Sequence, residues 1–382
     1  MKKKDLGLYI HIPFCVRKCA YCDFVSFRAS ENVQNAYFRS LLQELGEYQS
    51  LGNTCLIRTV YFGGGTPSIV DPIQLMRILL LIRDHFLVAE DAEITIEVNP
   101  GTITRENLKA WKQIGINRLS IGLQSDHDDL LQTLGRIHTY DDFLAGYRAA
   151  RAAGFDNISV DLMYSLPGQT PEMWMNTIRN LSALGPDHIS AYALSIEEGT
   201  PFAKKYGTPE GAALLPSEED DRKMYHDACE YLKAAGYERY EISNFAKPDK
   251  YSRHNMIYWS MGDYLGLGLN ASSYMNGRRF ANPADLNEYI RAVPKLSARM
   301  RENEPQTKKE AMEEFMFLGL RRSRGVTAKE FKEAFREDLE AKYGKVIKRL
   351  VRQRMLTFED GRLALTDAGI DVSNAVLAEF LL

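Results

Sequence analysis

The run His11-Ile-Pro-Phe-Cys-Val-Arg-Lys-Cys-Ala-Tyr-Cys-Asp23 contains three cysteines, Cys15, Cys19 and Cys22, in a C-x3-C-x2-C spacing. Three thiols within so short a stretch can converge on one face of a loop. A 4Fe–4S cluster normally takes four cysteine thiolates, and the next cysteine along the chain, Cys55, is well outside the loop. The spacing therefore predicts a cluster that keeps one iron open to a small molecule.

Two other uses of these thiols fit less well. A disulfide framework needs an oxidising compartment and a cysteine-dense chain, whereas this chain has 5 cysteines in 382 residues and its first residues do not form a secretory leader. A structural zinc site commonly uses two C-x2-C pairs; His11 could complete one site, but there is no second pair. Cys55 and Cys229 stand alone, and we expect them to be ordinary buried cysteines.

The composition is that of a soluble protein with more than one structural unit. Hydrophobic residues make up 45% and charged residues 26% of the 382 positions, and this length exceeds one compact domain. The net charge of -3 gives no electrostatic reason to expect nucleic acid. The longest apolar run, around Ile78 to Ile82, is too short to cross a bilayer. We therefore expect a cytoplasmic protein without a transmembrane segment, with peripheral membrane contact left open.

The first two-thirds of the chain alternates short β-type runs with amphipathic helical patterns, which favours parallel βα units. The predicted strands are Leu8–Ile12, Thr59–Phe62, Glu93–Val98, Arg118–Leu123, Asn157–Leu162 and His188–Leu194. A doubly wound open sheet would satisfy the same pattern. However, polar or glycine-rich residues occur at the carboxyl end of all six strands, where barrel enzymes bind their substrates. This favours a partial (β/α)6 barrel.

Particular side chains at these strand ends suit a polar ligand. The turn Gly63-Gly-Gly-Thr-Pro67 lets the backbone approach closely and offers N–H groups. Glu97 and Asp161 are carboxylates that suit an ammonium group or ribose hydroxyls. Arg136 could clamp a carboxylate or be a solvated surface residue, and Gln124 could contact a ligand or simply end a strand.

Several motifs resemble the oxygen-independent coproporphyrinogen III oxidase-like family of the radical S-adenosylmethionine (SAM) superfamily, over essentially the whole chain. They are Tyr9-x-His-Ile-Pro-Phe-Cys, Phe62-Gly-Gly-Gly-Thr-Pro, Glu97-Val-Asn-Pro, Gly122-Leu-Gln-Ser and Asp161-Leu-Met-Tyr-Ser-Leu-Pro-Gly-Gln-Thr. The resemblance implies that SAM binds the open iron and that the cluster supplies the electron that cleaves it. It implies SAM contacts, to one or two molecules, at Tyr9, Tyr21, Gly64, Gly65, Thr66, Glu97, Gln124, Arg136 and Asp161.

Two features depart from the decarboxylating members of that family. Phe24 stands where they carry a further cysteine, and only 14 residues precede Cys15. Both departures, with the sequence C-x3-C-x2-C-Asp-Phe, resemble the HemW family of heme chaperones. That resemblance implies heme as ligand, heme-accepting proteins as partners and no catalytic side chain, with a homodimer left open. The alternative is a radical SAM enzyme acting on a tetrapyrrole, by coproporphyrinogen decarboxylation or heme cleavage.

The second half of the chain contains the motif His254-Asn-Met-Ile-Tyr-Trp259, which resembles a HemW stretch. Imidazole is a common axial ligand of heme iron, so we nominate His254 as a heme ligand. The alternative is that His254 hydrogen-bonds within a structural turn against Trp259. His11, on the first strand, is expected to pack or hydrogen-bond beside the cluster.

The tail has a different character, with three helical patterns and a hairpin. These are Glu310–Arg321, Lys329–Phe335, Lys345–Gln353 and the hairpin Leu356–Leu365. Winged-helix folds often bind DNA, but acidic residues are as dense here as basic ones, so we expect a protein contact or a lid. The predicted fold is therefore α/β: a partial (β/α)6 radical SAM barrel (residues 1–200), a mixed α/β extension (201–305) and a C-terminal winged-helix-like domain (306–382).

Overall fold

All six predicted strands are present in the computed structural model, which describes residues 3–382 but not the side chains of residues 299–301. The strands are β1 Lys4–Ile12, β2 Cys55–Gly64, β3 Leu87–Val98, β4 Arg118–Gln124, β5 Ile158–Tyr164 and β6 His188–Ala193. They pair in chain order and in parallel. The helices between them are α1 Glu31–Glu47, α2 Pro72–His85, α3 Arg105–Ile114, α4 Asp128–Leu134, α5 Tyr140–Ala152 and α6 Pro171–Leu184.

Strands β1, β2 and β3 begin several residues before their predicted starts. The first residues of β1 and β3 include exposed charges, such as Asp5, Glu90 and Asp91. These charges interrupt the apolar pattern by which a strand is recognised. The carboxyl ends, which carry the polar residues, lie within two residues of the predicted ends.

Each strand presents apolar side chains to the helices and more polar ones to the other face of the sheet, because successive side chains alternate. Leu6, Leu8, Ile10 and Ile12 of β1 are all fully buried in the main hydrophobic core. The positions between them include Tyr9 and His11. The polar face therefore forms the barrel interior, and the carboxyl ends of the strands form its mouth.

Residues 201–305 add five strands to both edges of the same sheet. Their elements are α7 Pro201–Tyr206, α8 Pro209–Ala212, α9 Glu218–Ala234, β7 Glu238–Arg239, β8 Asn244–Ala246, α10 Arg253–Trp259, β9 Tyr264–Leu267, β10 Ser272–Met275, β11 Arg278–Ala281, α11 Leu286–Ala292 and α12 Leu296–Glu302. Strand β9 pairs with β1 in parallel, and β8 pairs with β6 in antiparallel fashion. The sheet therefore continues beyond β1 and β6, and the barrel stays open.

Glu44 of α1 ties the barrel to this extension. Its fully buried carboxylate accepts hydrogen bonds from the Gly268 N–H (2.8 Å), Asn282 Nδ2 (2.6 Å) and the Tyr289 hydroxyl (2.6 Å). Burial outweighs these donors and raises the pKa of Glu44 from 4.5 to about 7. The folded protein therefore holds this proton more tightly than the unfolded chain does.

We expect Glu44 to lower the free energy of unfolding as pH rises through the window between these two pKa values, by about 3 kcal/mol. Below that window the carboxyl is protonated in both the folded and the unfolded state, so it does not make the free energy of unfolding depend on pH. Glu44→Gln cannot titrate, so its stability should lack this decline. Urea unfolding of both proteins across the window measures the difference. Parallel pH profiles for the two proteins would show that folding does not raise the pKa of Glu44.

The C-terminal residues form a second hydrophobic core of their own, which includes Met316, Phe331 and Tyr343. The elements are α13 Lys308–Gly319, β12 Val326–Thr327, α14 Ala328–Phe335, α15 Leu339–Arg352, β13 Leu356–Glu359, β14 Arg362–Leu365, α16 Asp367–Asp371 and α17 Ser373–Ala378. The three strands form a separate sheet in the order β12-β14-β13. The predicted helices and hairpin are present, although α15 begins earlier than expected. The winged-helix description stays a prediction.

The boundary expected around Met300–Gln306 falls partly on residues 299–301, whose side chains lie outside the described part of the chain. Ser323 N–H donates to Tyr240 O (3.0 Å), and His226 Nε2 is hydrogen-bonded to Asp371 (2.8 Å). The C-terminal core therefore docks against the extension through polar contacts. Over residues 3–382, we find no helix long and apolar enough to cross a membrane.

Candidate functional site

The carboxyl ends of the six strands surround a cavity of about 400 Å³, called the cluster cavity below. All three cysteines of the first loop line it. So do eight of the nine predicted SAM contacts, namely Tyr21, Gly64, Gly65, Thr66, Glu97, Gln124, Arg136 and Asp161. Residues that are far apart in sequence therefore meet at one mouth of the barrel.

The three thiols are free and have polar neighbours on the cavity wall. The Thr66 hydroxyl donates to Cys15 Sγ (3.5 Å), and Arg136 Nη1 donates to Cys19 Sγ (3.6 Å). Burial raises the pKa of the Cys22 thiol. Within the described residues, no three His, Cys, Asp or Glu side chains lie close enough to hold one metal ion. Three thiols on one cavity wall are the kind of donor set that an iron–sulfur cluster takes.

The glycine turn after β2 supports the cysteine loop. Three of its N–H groups donate to protein acceptors: Gly64 to Glu97 Oε2 (2.9 Å), Gly65 to Ile12 O (2.8 Å) and Thr66 to Phe14 O (2.8 Å). The expectation that these N–H groups face a ligand is therefore not met. A Cβ on Gly65 would lie 2.7 Å from Phe14 O and 3.0 Å from Cys15 Sγ. Glycine is needed here because the turn and the loop are in direct contact.

Both predicted carboxylates are half-buried at the cavity wall and held by neighbouring donors. Glu97 accepts from the Tyr61 hydroxyl (2.9 Å) as well as from Gly64, and burial raises its pKa to about 7. Asp161 accepts from the hydroxyls of Ser190 (2.6 Å), Ser120 (3.0 Å) and Ser159 (3.4 Å). Burial raises its pKa although these hydroxyls oppose the shift. Both groups can accept hydrogen bonds from ammonium or hydroxyl groups of a ligand.

Arg136 and Gln124 are both part of the cavity wall. Arg136 Nη2 donates to Asn99 Oδ1 (2.5 Å) and Gly122 O (2.6 Å), so it joins the cysteine loop to two strand ends and is not a solvated surface residue. Gln124 has a φ of 72°, at the point where the register between β4 and β5 shifts. A non-glycine residue in this region is strained, and such strain is concentrated at functional sites.

Tyr9 is the one predicted SAM contact that the structure does not place on the cluster cavity. Its ring stacks on Tyr61, with ring centroids 6.2 Å apart, and its hydroxyl is hydrogen-bonded to His11 Nδ1 (3.0 Å). His11 Nε2 is in turn hydrogen-bonded to Val25 O (2.9 Å). The expectation that His11 packs and hydrogen-bonds beside the cluster loop is confirmed.

His254 is 1% exposed, and both of its ring nitrogens are engaged. Nδ1 is hydrogen-bonded to Thr59 Oγ1 (2.7 Å), and Nε2 is hydrogen-bonded to the Tyr258 hydroxyl (2.7 Å). Burial and the positive charge of Arg118 lower the pKa of His254 to about 3, so the ring is neutral. Neither nitrogen is available to a heme iron. The structural alternative describes this residue better, with Thr59 and Tyr258 as its partners in place of a turn against Trp259.

Sequence reasoning missed the deeper wall of the cavity. Arg118 and Ser120 line it together with Gly122 and Gln124, so every second residue of β4 faces inward. Arg118 is 2% exposed, and its Nε has no hydrogen-bond partner among the described residues. The period of two, counted back from Gln124, was the signal that could have identified them.

We expect Asp161→Asn to weaken SAM binding about tenfold or more, because a charged acceptor at the cavity wall is lost. Iron and sulfide content should be unchanged, since Asp161 has no contact with the cysteines. Anaerobic equilibrium dialysis with SAM measures the effect, and Asp156→Asn, an exposed carboxylate before β5, is the matched control. Equal affinity in both variants would remove Asp161 from the SAM site.

Comparison with known proteins identifies the family. Residues 9–181 match the radical SAM superfamily, and residues 306–372 match the HemN C-terminal domain. The heme chaperone HemW of Lactococcus lactis is 36% identical over 382 residues, covering 100% of this chain and 99% of the relative. HemW of Bacillus subtilis is 35% identical over 374 residues, covering 98% of each. The mitochondrial radical S-adenosyl methionine domain-containing protein 1 of Danio rerio is 32% identical over 390 residues, covering 99% of this chain and 87% of that one.

The structure of Escherichia coli coproporphyrinogen III oxidase (HemN), described as a radical SAM enzyme, superposes with a TM-score of 0.84 at 23% identity. It covers 99% of this chain and 90% of HemN. This similarity confirms the predicted radical SAM fold class. The identity to curated relatives over nearly their whole length shows that the chain belongs to the HemW family of the radical SAM superfamily.

Proposed function

We propose that this protein is a heme chaperone, which binds heme and passes it to acceptor proteins. The observation that carries this proposal is the end-to-end similarity to relatives named heme chaperone HemW. We further propose that Cys15, Cys19 and Cys22 hold a 4Fe–4S cluster with SAM at its open iron. Since thiol ligands stay reduced in the cytoplasm, we place the protein there.

Phe24 supports a chaperone over a decarboxylating enzyme. It occupies the position at which the resembling enzymes carry a further cysteine, and its ring is 63% exposed at the edge of the cluster cavity. A phenyl ring offers no ligand to iron. The loop therefore has the three thiols of one cluster and an apolar group on its outer surface, which suits contact with an apolar ligand or a partner protein.

The residues of the cavity have distinct tasks in this proposal. When bound, the cluster and SAM supply electron transfer and a small-molecule ligand that can be exchanged. The three thiolates hold the cluster, and Thr66 and Arg136 donate hydrogen bonds to two of the sulfurs. Glu97 and Asp161 accept hydrogen bonds from the polar groups of SAM. Their partial burial lowers the local dielectric and strengthens those contacts.

Hemin titration of the cluster-loaded protein tests heme binding. We expect a saturable change in the Soret band with a defined stoichiometry, measured anaerobically and compared with hemin added to buffer. The same titration with the triple variant Cys15→Ala, Cys19→Ala, Cys22→Ala separates heme binding from adventitious thiol ligation of hemin. A linear, unsaturable response of the cluster-loaded protein would end the chaperone proposal.

A radical SAM enzyme acting on a tetrapyrrole is the second candidate, favoured by the retention of eight predicted SAM contacts around one cavity. Anaerobic incubation with SAM, a strong reductant and coproporphyrinogen III tests it. Stoichiometric 5′-deoxyadenosine with a decarboxylated tetrapyrrole would establish the enzyme. Heme in place of coproporphyrinogen tests ring cleavage in the same way. The chaperone proposal predicts at most slow SAM cleavage without a tetrapyrrole product.

A further inference from the structure

The cluster cavity extends from the cysteine loop deep into the barrel. Its wall includes both Arg118, at the start of β4, and Gln124, at the end of the same strand. Six residues of extended chain span about 20 Å. The cysteine loop is at the Gln124 end, so Arg118 lies towards the amino ends of the strands. We call the part of the cavity beside Arg118 its inner end.

Arg118 faces this inner end without a protein acceptor. It is 2% exposed, and its Nε has no hydrogen-bond partner among the described residues. No carboxylate of a described residue lies within 4.0 Å of its guanidinium nitrogens. Burial disfavours the charged form, but nearby groups, above all Glu93, raise the pKa of Arg118, so the guanidinium is charged. A buried charge of this kind normally has a direct partner.

The carboxylates on the neighbouring strands accept hydrogen bonds from other donors. Glu93 accepts from the backbone N–H groups of Arg253 and His254, both at 3.1 Å. Asp161 accepts from serine hydroxyls, and Glu97 accepts from a backbone N–H and a tyrosine hydroxyl. Arg118 therefore feels these carboxylates through their charge, without a hydrogen bond to any of them.

Thr95 of β3 supplies a second unpartnered group beside Arg118. The two residues are register partners where β3 pairs with β4. Glu97, two residues further along β3, lines the cavity, so Thr95 points to the same face of the sheet. Thr95 is fully buried, and its Oγ1 has no hydrogen-bond partner among the described residues. A guanidinium and a hydroxyl can both donate, so together they suit an acceptor.

Arg118 is the source of positive charge at the inner end. The other lysine and arginine side chains of the cavity wall, Arg17, Lys18 and Arg136, belong to the cysteine loop or donate to it. His188 also lines the cavity, but burial lowers its pKa well below the usual value and its ring is neutral. One guanidinium balances one negative charge.

A carboxylate fits this donor set better than a phosphate does. Its two oxygens match the fork of a guanidinium, and its single charge is the one that Arg118 can balance. Glu97 and Asp161 stand on the same wall and would repel a dianion more strongly than a monoanion. The inner end therefore selects a singly charged acid group.

We propose that the inner end of the cluster cavity binds the carboxylate of a small organic acid, with Arg118 and Thr95 as its hydrogen-bond donors. The cavity continues from Arg118 to the cysteine loop, so the rest of the acid has a path towards the cluster. This site goes beyond the proposed heme chaperone function and does not depend on it.

Anaerobic titration calorimetry of the full-length, cluster-loaded protein with sodium acetate tests the site. SAM is left out, and ionic strength is held constant. We expect saturable binding of acetate and none of acetamide, which has nearly the same shape without the charge. Sodium phosphate should bind more weakly than acetate.

Arg118→Gln is expected to raise the Kd for acetate about 10- to 100-fold, because a charge-assisted hydrogen bond is lost. Arg118→Lys keeps the charge without the fork and should lie between Arg118→Gln and the wild type. Thr95→Val should raise Kd about three- to tenfold, the loss of one neutral donor. Arg105→Gln removes an exposed arginine of α3 and is the matched control, with wild-type affinity.

Three results would overturn the proposal: no saturable acetate binding, equal acetate affinity in Arg118→Gln and the wild type, or tighter binding of phosphate than of acetate. Thermal melting with iron and sulfide analysis shows whether each variant is folded. Thr95→Val removes a hydroxyl that has no protein partner, so its stability should not fall. If Arg118→Gln does not fold, Thr95→Val decides, and wild-type affinity in that variant would refute the site. No hemin is present, so heme binding is tested separately.

Discussion

Replacing any one of Cys15, Cys19 and Cys22 by alanine is expected to reduce bound iron and sulfide from about four of each per chain to almost none. Each thiol is one of only three available to the cluster, and all three line the same cavity. A cluster that already has one open iron has no spare protein ligand to compensate for a second loss. The visible absorption of the reconstituted protein should disappear together with the metal.

Cys55→Ala and Cys229→Ala are the matched controls for these variants. Cys55 begins β2, whereas the cysteine loop is at the carboxyl ends of the strands. Cys229 lies in α9, with Arg239 as its neighbour. Both controls should keep full iron and sulfide after anaerobic reconstitution. Full metal content in all three loop variants would refute the ligand assignment.

Gly65→Val is expected to prevent stable cluster binding and to lower the free energy of unfolding by about 2 kcal/mol or more. The added Cβ would meet Phe14 O at 2.7 Å and both Ile12 O and Cys15 Sγ at 3.0 Å. Two of these atoms belong to backbone, so the cysteine loop must move away from the strand end. Moving the loop displaces Cys15 from the other two thiols.

Gly101→Ala is the control for Gly65→Val, because no atom lies within 4 Å of a Cβ at that position. It should retain wild-type stability and wild-type iron content. Urea unfolding of the apo proteins measures the steric cost, and iron analysis after reconstitution measures cluster binding. A Gly65→Val protein with normal stability and a full cluster would show that the loop and the turn are not in close contact.

Much of the barrel could be predicted from sequence because its strands are short apolar runs that end in unusual residues. The cysteine spacing and the ends of β2 to β5 indicated one shared site, and the structure places their side chains around one cavity. Strand starts were harder to predict. Asp5 at the exposed start of β1 carries no apolar signal, although its backbone is paired with Leu56 of β2.

What could not be predicted depends on tertiary contacts. The glycine turn was expected to offer N–H groups to a ligand. Instead, the N–H groups of Gly65 and Thr66 donate to backbone carbonyls of Ile12 and Phe14, just before the first cysteine. His254 was predicted to be a heme ligand because of the motif in which it lies. Only the fold shows that Thr59, almost two hundred residues earlier in the chain, occupies one of its nitrogens. Local sequence carries no information on such pairings.

Heme transfer from the loaded protein to an acceptor tests the central claim most directly. The cluster-loaded protein, saturated with hemin, would be mixed with increasing concentrations of an apo-b-type cytochrome and, separately, with apomyoglobin as a passive scavenger. The account predicts that transfer to the cytochrome outpaces spontaneous dissociation and accelerates with acceptor concentration. Identical rates for cytochrome and scavenger, independent of concentration, would contradict it, because heme would then simply dissociate from the protein.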